Sequence, residues 1–521
     1  MPISVYIKNV FLSSILGKAL SGFFSGLIHL VRQSACWRFL SRPEKLSALY
    51  HSSNAGKILS FPFDACSGLL KRFGRFLERK FPESFTLWTL QWLGDRFYLF
   101  FYLFLAAHTI VPYSLYRNPY TVMAMILFVI SFSLRVAFNK DSTFSAKRLD
   151  PVFILYFLSI TLSAVFSLFG AGSGSASTTT AVLYITALLF PILISNAFTV
   201  QKKLVALVRA LSYSTVVMSL YGIYQFFVGV PVDTTQVDLT TGGASQSMGR
   251  VYSTAGNPNI LAAWLLLSIP LGVALFFMAN GFRKKLLHAL LVVPQFLCLL
   301  LTLSRSGWIG IFVAAVVFLF FLDWRIIPVF VFLGILSIPF IPQFIIDRFM
   351  TIGTDTSSVY RLSIWAGSFR MAQANPFTGI GIGLEFFKRF INNYVYTPYD
   401  QAPVHAHMLP LQIWVESGLC AVLAFLWMIL RNMKKGALFI SAHSKKTMVR
   451  YADADTSPQG LKMILSGCIA AFCGFLTMGL FEYSWFFPRC MNMFFIVFGV
   501  FISAINIGSM NTGSVTEERR C

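Results

Sequence analysis

From residue 97 onward the sequence keeps returning to apolar runs about as long as one bilayer crossing, separated by short polar links. A membrane-spanning helix needs roughly 20 apolar residues, and inside a bilayer only structures that satisfy their own backbone hydrogen bonds persist. The runs fall at 97–116, 120–137, 151–170, 180–199, 204–229, 259–279, 286–303, 307–322, 326–345, 409–430, 461–481 and 490–508. This pattern sets the fold class: all-α, a polytopic transmembrane helical bundle with one large loop, 346–408, that holds amphipathic helices.

Composition agrees. Hydrophobic residues make up 56% of the 521 and charged residues 12%, about half the charged share of a soluble protein. The formal charge of +22 raises the question of nucleic acid. No compact basic domain remains once the spans are removed, so the charge points to membrane lipids and no nucleic acid is expected. Cys298, Cys420, Cys468 and Cys473 fall inside apolar runs and no CxxC pair occurs, which reads as small hydrophobes rather than a metal or redox motif. No cleavable signal peptide is expected.

Residues 1–95 hold no full span. Leu16, Leu20, Phe23, Phe24, Leu27, Ile28 and Val31 recur at helical spacing opposite Ser14, Lys18, Ser21, Ser25, His29 and Arg32, predicting an amphipathic surface helix. Residues 32–95 are basic, with KRFGRFLERK at 71–80. The chain thus divides into a basic interfacial region (1–95), spans one to nine (96–345), the large loop (346–408), spans ten to twelve (409–508) and a short tail (509–521).

Basic residues set the orientation. Lys140, Lys147 and Arg148, Lys202 and Lys203, Arg283, Lys284 and Lys285, Arg325, and the Lys/Arg cluster of 431–460 all fall in even-numbered links. Cytoplasmic loops carry this excess, so both termini are expected in the cytoplasm. Three polar segments then share the outer face: 231–258, the turn at 304–307 and the loop ending at His405 and His407.

These segments hold the candidate residues. Arg305 leaves only a turn between two spans, and ionisable residues at membrane depth tend to be functional. Arg250 precedes a span. Asn257, Pro258 and Asn259 also suit a helix cap. Ile364, Trp365, Phe369 and Met371 suggest an amphipathic surface helix flanked by Arg361 and Arg370. Gly379, Gly381 and Gly383 follow no strand, so they mark a turn or a close approach of backbone to a ligand rather than a dinucleotide site. His405 and His407 fall short of a metal site, since two donors do not make one and carboxylates nearby are few. A histidine can instead take a proton near neutral pH. Glu416 is placed to partner an arginine or to orient a histidine.

Four segments together carry a family resemblance: RVYSTAGNPNILAAW (250–264), LTLSRSGWIGIF (301–312), RLSIWAGSFRMAQANPFTGIGIG (361–383) and HAHMLPLQIWVESG (405–418). They resemble the O-antigen ligase and polymerase superfamily of bacterial membrane glycosyltransferases. The last motif usually reads His-x-His-Asn; here Met408 replaces the asparagine, and the first 95 residues lie outside the usual pattern. The resemblance implies a multi-pass enzyme of the cytoplasmic (inner) membrane, working on its outer face without metal or other cofactor. Its donor would be an undecaprenyl diphosphate-linked glycan and its acceptor a glycan or glycolipid hydroxyl, as in cell-envelope polysaccharide biosynthesis. His407, in the position of the motif's second histidine, is the implied general base, with His405 and Arg305 beside it. Arg250, Arg361 and Arg370, with Asn257, Asn259 and Glu416, would bind diphosphate or glycan, since guanidinium forks suit phosphate oxygens. A ligase and a polymerase share these features. A transporter of lipid-linked glycans would instead need ionisable residues along a central path.

Overall fold

A computed structural model describes residues 46–169, 175–230, 249–350, 356–394, 403–443 and 455–518, with positions 22, 26 and 33 before them. The amphipathic helix read between Ser14 and Arg32 lies outside the described residues. Among those described there is no strand. From residue 46 onward, three helices precede the bundle: α1 (Leu46–Ser52), α2 (Asn54–Lys80) and α3 (Phe85–Asp95). The bundle begins with α4 (Phe97–Ile110), α5 (Asn118–Phe138), α6 (Pro151–Phe169), α7 (Ser175–Ala197) and α8 (Gln201–Val228). It continues with α9 (Pro258–Met278), α10 (Phe282–Leu301), α11 (Arg305–Asp323) and α12 (Ile326–Ser337). The loop helices α13 (Gln343–Met350), α14 (Thr356–Ala374) and α15 (Leu384–Ile391) come next, followed by α16 (Leu409–Ala442), α17 (Pro458–Gly479) and α18 (Pro488–Glu518).

Local chemistry sets many of the helix starts. Proline opens α5, α9, α16 and α17 within the first two positions, where its missing N–H costs nothing. Asn257 and Ser457 accept amide hydrogens of the first turn of α9 and α17. Pro191, Pro270 and Pro294 lie inside helices, tolerated because neighbouring helices re-satisfy the freed carbonyls.

Among the described residues nine helices are long and apolar enough to cross a bilayer, and three shorter apolar ones, Phe97–Ile110, Pro151–Ser167 and Ile326–Ser337, occupy the remaining expected spans. The ninth departs most from its expected extent. Its helix stops at Ser337, and at 12 residues it is about 18 Å long, short of the ~30 Å hydrocarbon core. The chain continues through a 3-10 turn at Ile338–Phe340, and Phe349 of α13 then packs 5.3 Å from Trp308 at the start of α11. The segment therefore does return to the end from which α11 departs.

Contacts between links sort them into two ends. At one end Tyr113 N–H donates to Thr254 O, and Arg489 donates to His108 O and Thr254 O. This end gathers the links after α4, α8, α10, α15 and α17. At the other, Arg148 Nη1 bonds to Asn196, Arg209 pairs with Asp455 at 2.7 Å, and Asp150 holds Arg431 and Lys435, each at 2.6 Å. The described lysines and arginines of the even-numbered links belong to this second, basic end. The bundle centre is α9, α17 and α18, with 83–89% of each apolar window buried, whereas α10 and α11 bury only 22% and 28% and form the rim.

Candidate functional site

The non-basic end is built on a break in α16. Gly418 has φ 80° and ψ 173° inside that helix, so the carbonyls ahead of it lose their helical donors. The 376–383 turn supplies replacements: Ile380 N–H donates to Val415 O at 2.8 Å and Gly381 N–H to Glu416 O at 3.1 Å. Leu419 N–H donates back to Pro376 O at 2.7 Å. Gly379 (φ 66°) approaches so closely that a Cβ there would lie 2.5 Å from the Glu416 backbone. The close approach expected at these glycines is thus made to the protein's own helix.

Below this junction, Gln412 and Glu416 sit one turn apart. Gln412 Nε2 donates to Glu416 Oε1 (3.0 Å) while its Oε1 accepts the Ala406 amide (2.6 Å). Tyr184 OH donates to Glu416 Oε2 at 2.9 Å and is also hydrogen-bonded to Tyr483 OH. Glu416 therefore partners neither arginine nor histidine directly. It anchors the loop that carries the two histidines.

His407 stands in a left-handed backbone conformation, φ 49°. The two other non-glycine residues with positive φ among those described are Ser253 and Leu303. One lies in each of three resembling segments. Such conformations persist where surroundings over-determine them, and they cluster at functional sites. The turn brings the His405 and His407 rings to 4.1 Å and lets His407 N–H donate to His405 Nδ1 at 3.2 Å. His405 lies beneath, buried against Tyr483 and Phe486. Burial pushes its pKa down to about 3, helped by His407 and Arg361 and opposed by Glu482, so it stays neutral.

The hub of the site is Glu482, between α17 and α18. Its Oε1 meets His407 Nδ1 at 3.2 Å and accepts Tyr483 N–H at 3.2 Å. Its Oε2 accepts Asn259 Nδ2 at 2.7 Å and Arg361 Nη2 at 3.3 Å. Burial alone would raise its pKa, but the hydrogen bond and charge of His407, then Arg361 and His405, hold it well below the usual carboxylate range. An ionised carboxylate only accepts, so His407 Nδ1 is the donor of this bond; in the neutral imidazole that leaves Nε2 as the acceptor.

Asn259 extends the cluster. Its Oδ1 accepts Arg250 Nη2 at 2.7 Å and Ser304 Oγ at 3.0 Å, and Arg250 Nε donates to Thr302 O at 3.0 Å. Arg305, half-buried, opens α11 one residue after Ser304. Asn257 is not part of this network: its Oδ1 caps α9, accepting Asn259 N–H and Ile260 N–H.

Arg370 goes elsewhere. It is exposed, nine residues beyond Arg361 on α14, which at 3.6 residues per turn puts the two on opposite faces. α14 itself buries Ile364 and Met371 completely, and Phe369 packs on Trp414. Much of its apolar side meets the protein, where a membrane surface was expected. Glu482 is the residue that sequence reasoning missed. Its signal was an acidic residue at the end of an apolar run, on the same end as the histidines.

His405, His407 and Glu482 bring one possible metal ligand each within 4.8 Å of one another. Those groups already bond to each other, and the Arg361 guanidinium occupies the second oxygen of the carboxylate. A cation beside the carboxylate opposes a metal ion there, and the donor set fits a hydrogen-bonded cluster better. Within this described cluster three guanidiniums, of Arg250, Arg305 and Arg361, lie on the same end as the Glu482 carboxylate, a charge balance suited to an anion.

Residues 289–426 match a family model described as O-antigen ligase. This region is similar to the O-antigen ligase family. The match supports a membrane glycosyltransferase of the ligase/polymerase superfamily, whose partners are in general a lipid-linked glycan and a glycan acceptor. It includes Arg305, Arg361, both histidines and Glu416, and leaves Arg250, Asn259 and Glu482 outside. A search among curated proteins found no match.

Proposed function

We propose that the protein transfers a glycan from undecaprenyl diphosphate to an acceptor hydroxyl on the outer face of the cytoplasmic membrane, without a metal ion. The observation that carries this reading is the His407–Glu482 pair, which also holds Arg361 and is tied through Asn259 to Arg250. Glu482 holds His407 with Nε2 as the base. Nε2 takes the proton of the acceptor hydroxyl as its oxygen attacks the anomeric carbon. The glycosidic bond to the diphosphate breaks with its electrons, and the leaving charge develops on phosphate oxygen. Preorganised cations are most effective where charge develops. Arg305 supports that role: a cation at a helix N-terminus is disfavoured by the dipole, but the two together attract an anion. The basic end faces the cytoplasm by the positive-inside rule, which turns the His407 end outward and leaves both termini inside.

Ligation to a cell-surface acceptor is the preferred reaction; chain growth by a polysaccharide polymerase uses the same site chemistry. Transport is disfavoured because Asp150–Arg431 and Glu482–Arg361 lie at opposite ends of the bundle, with an apolar centre between them. The test is reconstitution in lipid with undecaprenyl diphosphate-linked glycan, candidate acceptors and a chelator, reading released undecaprenyl diphosphate and product mass. Release that is lost in His407→Ala supports the proposal, and product mass separates ligation from polymerisation. Glycolipid crossing vesicles with no release under any acceptor would replace the enzyme by a transporter.

A further inference from the structure

The helix α2 has three faces. Phe63, Ser67, Leu70 and Gly74 form the inner one, against the end of α5 and the link after it. Ser67 Oγ donates to Phe144 O at 3.0 Å and accepts Phe144 N–H at 2.8 Å. Lys71 Nζ donates to Lys140 O at 3.0 Å. At Gly74 a Cβ would come within 2.8 Å of the Ala137 carbonyl carbon, so this crossing needs glycine. Ile58, Leu69, Phe73 and Phe76 form the second face, each at least half exposed. Lys57, Arg72, Arg75 and Arg79 form the third, also exposed.

The helix is 27 residues long, about 40 Å, yet it is absent from the apolar helices suited to crossing a membrane. Its contacts fix it at the basic end of the bundle. The following helix, α3, exposes Phe85, Trp88 and Trp92, residues suited to the level of lipid head groups. An exposed apolar stripe beside a basic one, held at this end, is the arrangement of a helix lying in the membrane interface.

We infer that α2 binds the phosphate head group of an anionic phospholipid at the basic end of the bundle. Arg72, Arg75, Phe76, Arg79 and Lys80 line one open cleft. Three guanidiniums there supply charge and paired donors for phosphate oxygens. Phe73 and Phe76 supply apolar surface for the acyl chains. Glu78 is the one acidic residue within 71–80, so the charge of the stretch remains strongly positive. The device anchors the region ahead of the first span to its own leaflet.

The experiment is lipid titration of the full-length protein in neutral detergent, read by native mass spectrometry, with phosphatidylglycerol or phosphatidylcholine as probe. The variant is R72Q/R75Q/R79Q; the control is R283Q/K284Q/K285Q, which removes the same charge from exposed residues at the start of α10. Each basic residue near an anionic surface is worth about fivefold in binding, so the triple variant is expected to weaken phosphatidylglycerol binding roughly a hundredfold. The control should retain wild-type binding, and thermal unfolding without added lipid should be unchanged in both. Equal losses in variant and control would reduce the site to general electrostatics and overturn the inference. So would equal binding of phosphatidylcholine, or full competition by inorganic phosphate at the same concentration.

Discussion

His407 Nδ1 lies 3.2 Å from Glu482 Oε1, joining the loop before α16 to the turn between α17 and α18. An imidazole fixed in this way presents one defined nitrogen to substrate. Glu482→Gln keeps the size but lets an amide N–H face Nδ1, which favours the wrong tautomer. Glycan transfer should fall by about 10²–10⁴, the usual contribution of a positioned general base, and His407→Asn should fall by a similar factor. The two changes act on one unit, so the double variant should lose little more than either alone. A product-release assay on the three variants checks this; multiplicative losses would show that the residues act separately.

Three arginines face this end. Arg361 is engaged with Glu482 and Arg250 with Asn259 and Thr302, and Arg305 stands at the helix start beside Ser304. Lysine keeps the charge but loses the planar fork. Arg305→Lys is expected to lower kcat by about tenfold or more, the size of one lost interaction with developing charge. Arg370→Lys, on the far face of α14, should leave transfer within about twofold, as surface substitutions do. Steady-state kinetics on donor glycolipid distinguishes the two. Equal losses would return Arg370 to the site.

Acid should loosen the histidine loop before it affects the rest of the site. His405 has its pKa pushed down from 6.5 to about 3 in the folded protein. Between those values the unfolded chain binds more protons than the folded one, so this contribution is present above pH 6.5 and is lost as pH falls toward 3. Glu482 is also depressed, from 4.5, and its contribution begins to fall only as pH drops through that value. Thermal unfolding in detergent should therefore weaken from about pH 6.5 downward. His405→Gln should flatten the upper part of that curve, from 6.5 to 4.5, and leave the lower part. An unchanged curve in the variant would remove His405 as the cause.

Much of this architecture was legible in the sequence because membrane helices announce themselves by length and apolarity. The positions of Arg250, Arg305, Arg361 and His407 at one end followed from counting spans. What was hidden depended on contacts between distant segments. Glu482 is separated from His407 by 75 residues, and no local pattern marks such a pair. The break at Gly418 was equally hidden, because a glycine within an apolar run fits a continuous helix until the 376–383 turn is seen to fill the gap. Short α12 escaped for a different reason: residues 326–345 are apolar throughout their first half, and Pro339 and Pro342 end the helix without interrupting the hydropathy.

That break makes a sharp stability test. Gly418 has φ 80°, and a side chain there would run into the Phe377 carbonyl. Gly381 also has positive φ, 102°, but a Cβ there would meet the Ser167 hydroxyl at 3.0 Å, a side chain with some freedom to move. A non-glycine residue in strained backbone costs on the order of 1–3 kcal/mol, before any steric shift. Gly418→Ala should therefore lose folded protein or at least several degrees of unfolding temperature, and Gly381→Ala should lose less. The first change also displaces the donors to Val415 and Glu416, so activity should fall with stability. Fluorescence-detected size exclusion across temperature would rank the variants. A Gly418→Ala protein as stable as wild type would mean that α16 runs through this point as a continuous helix.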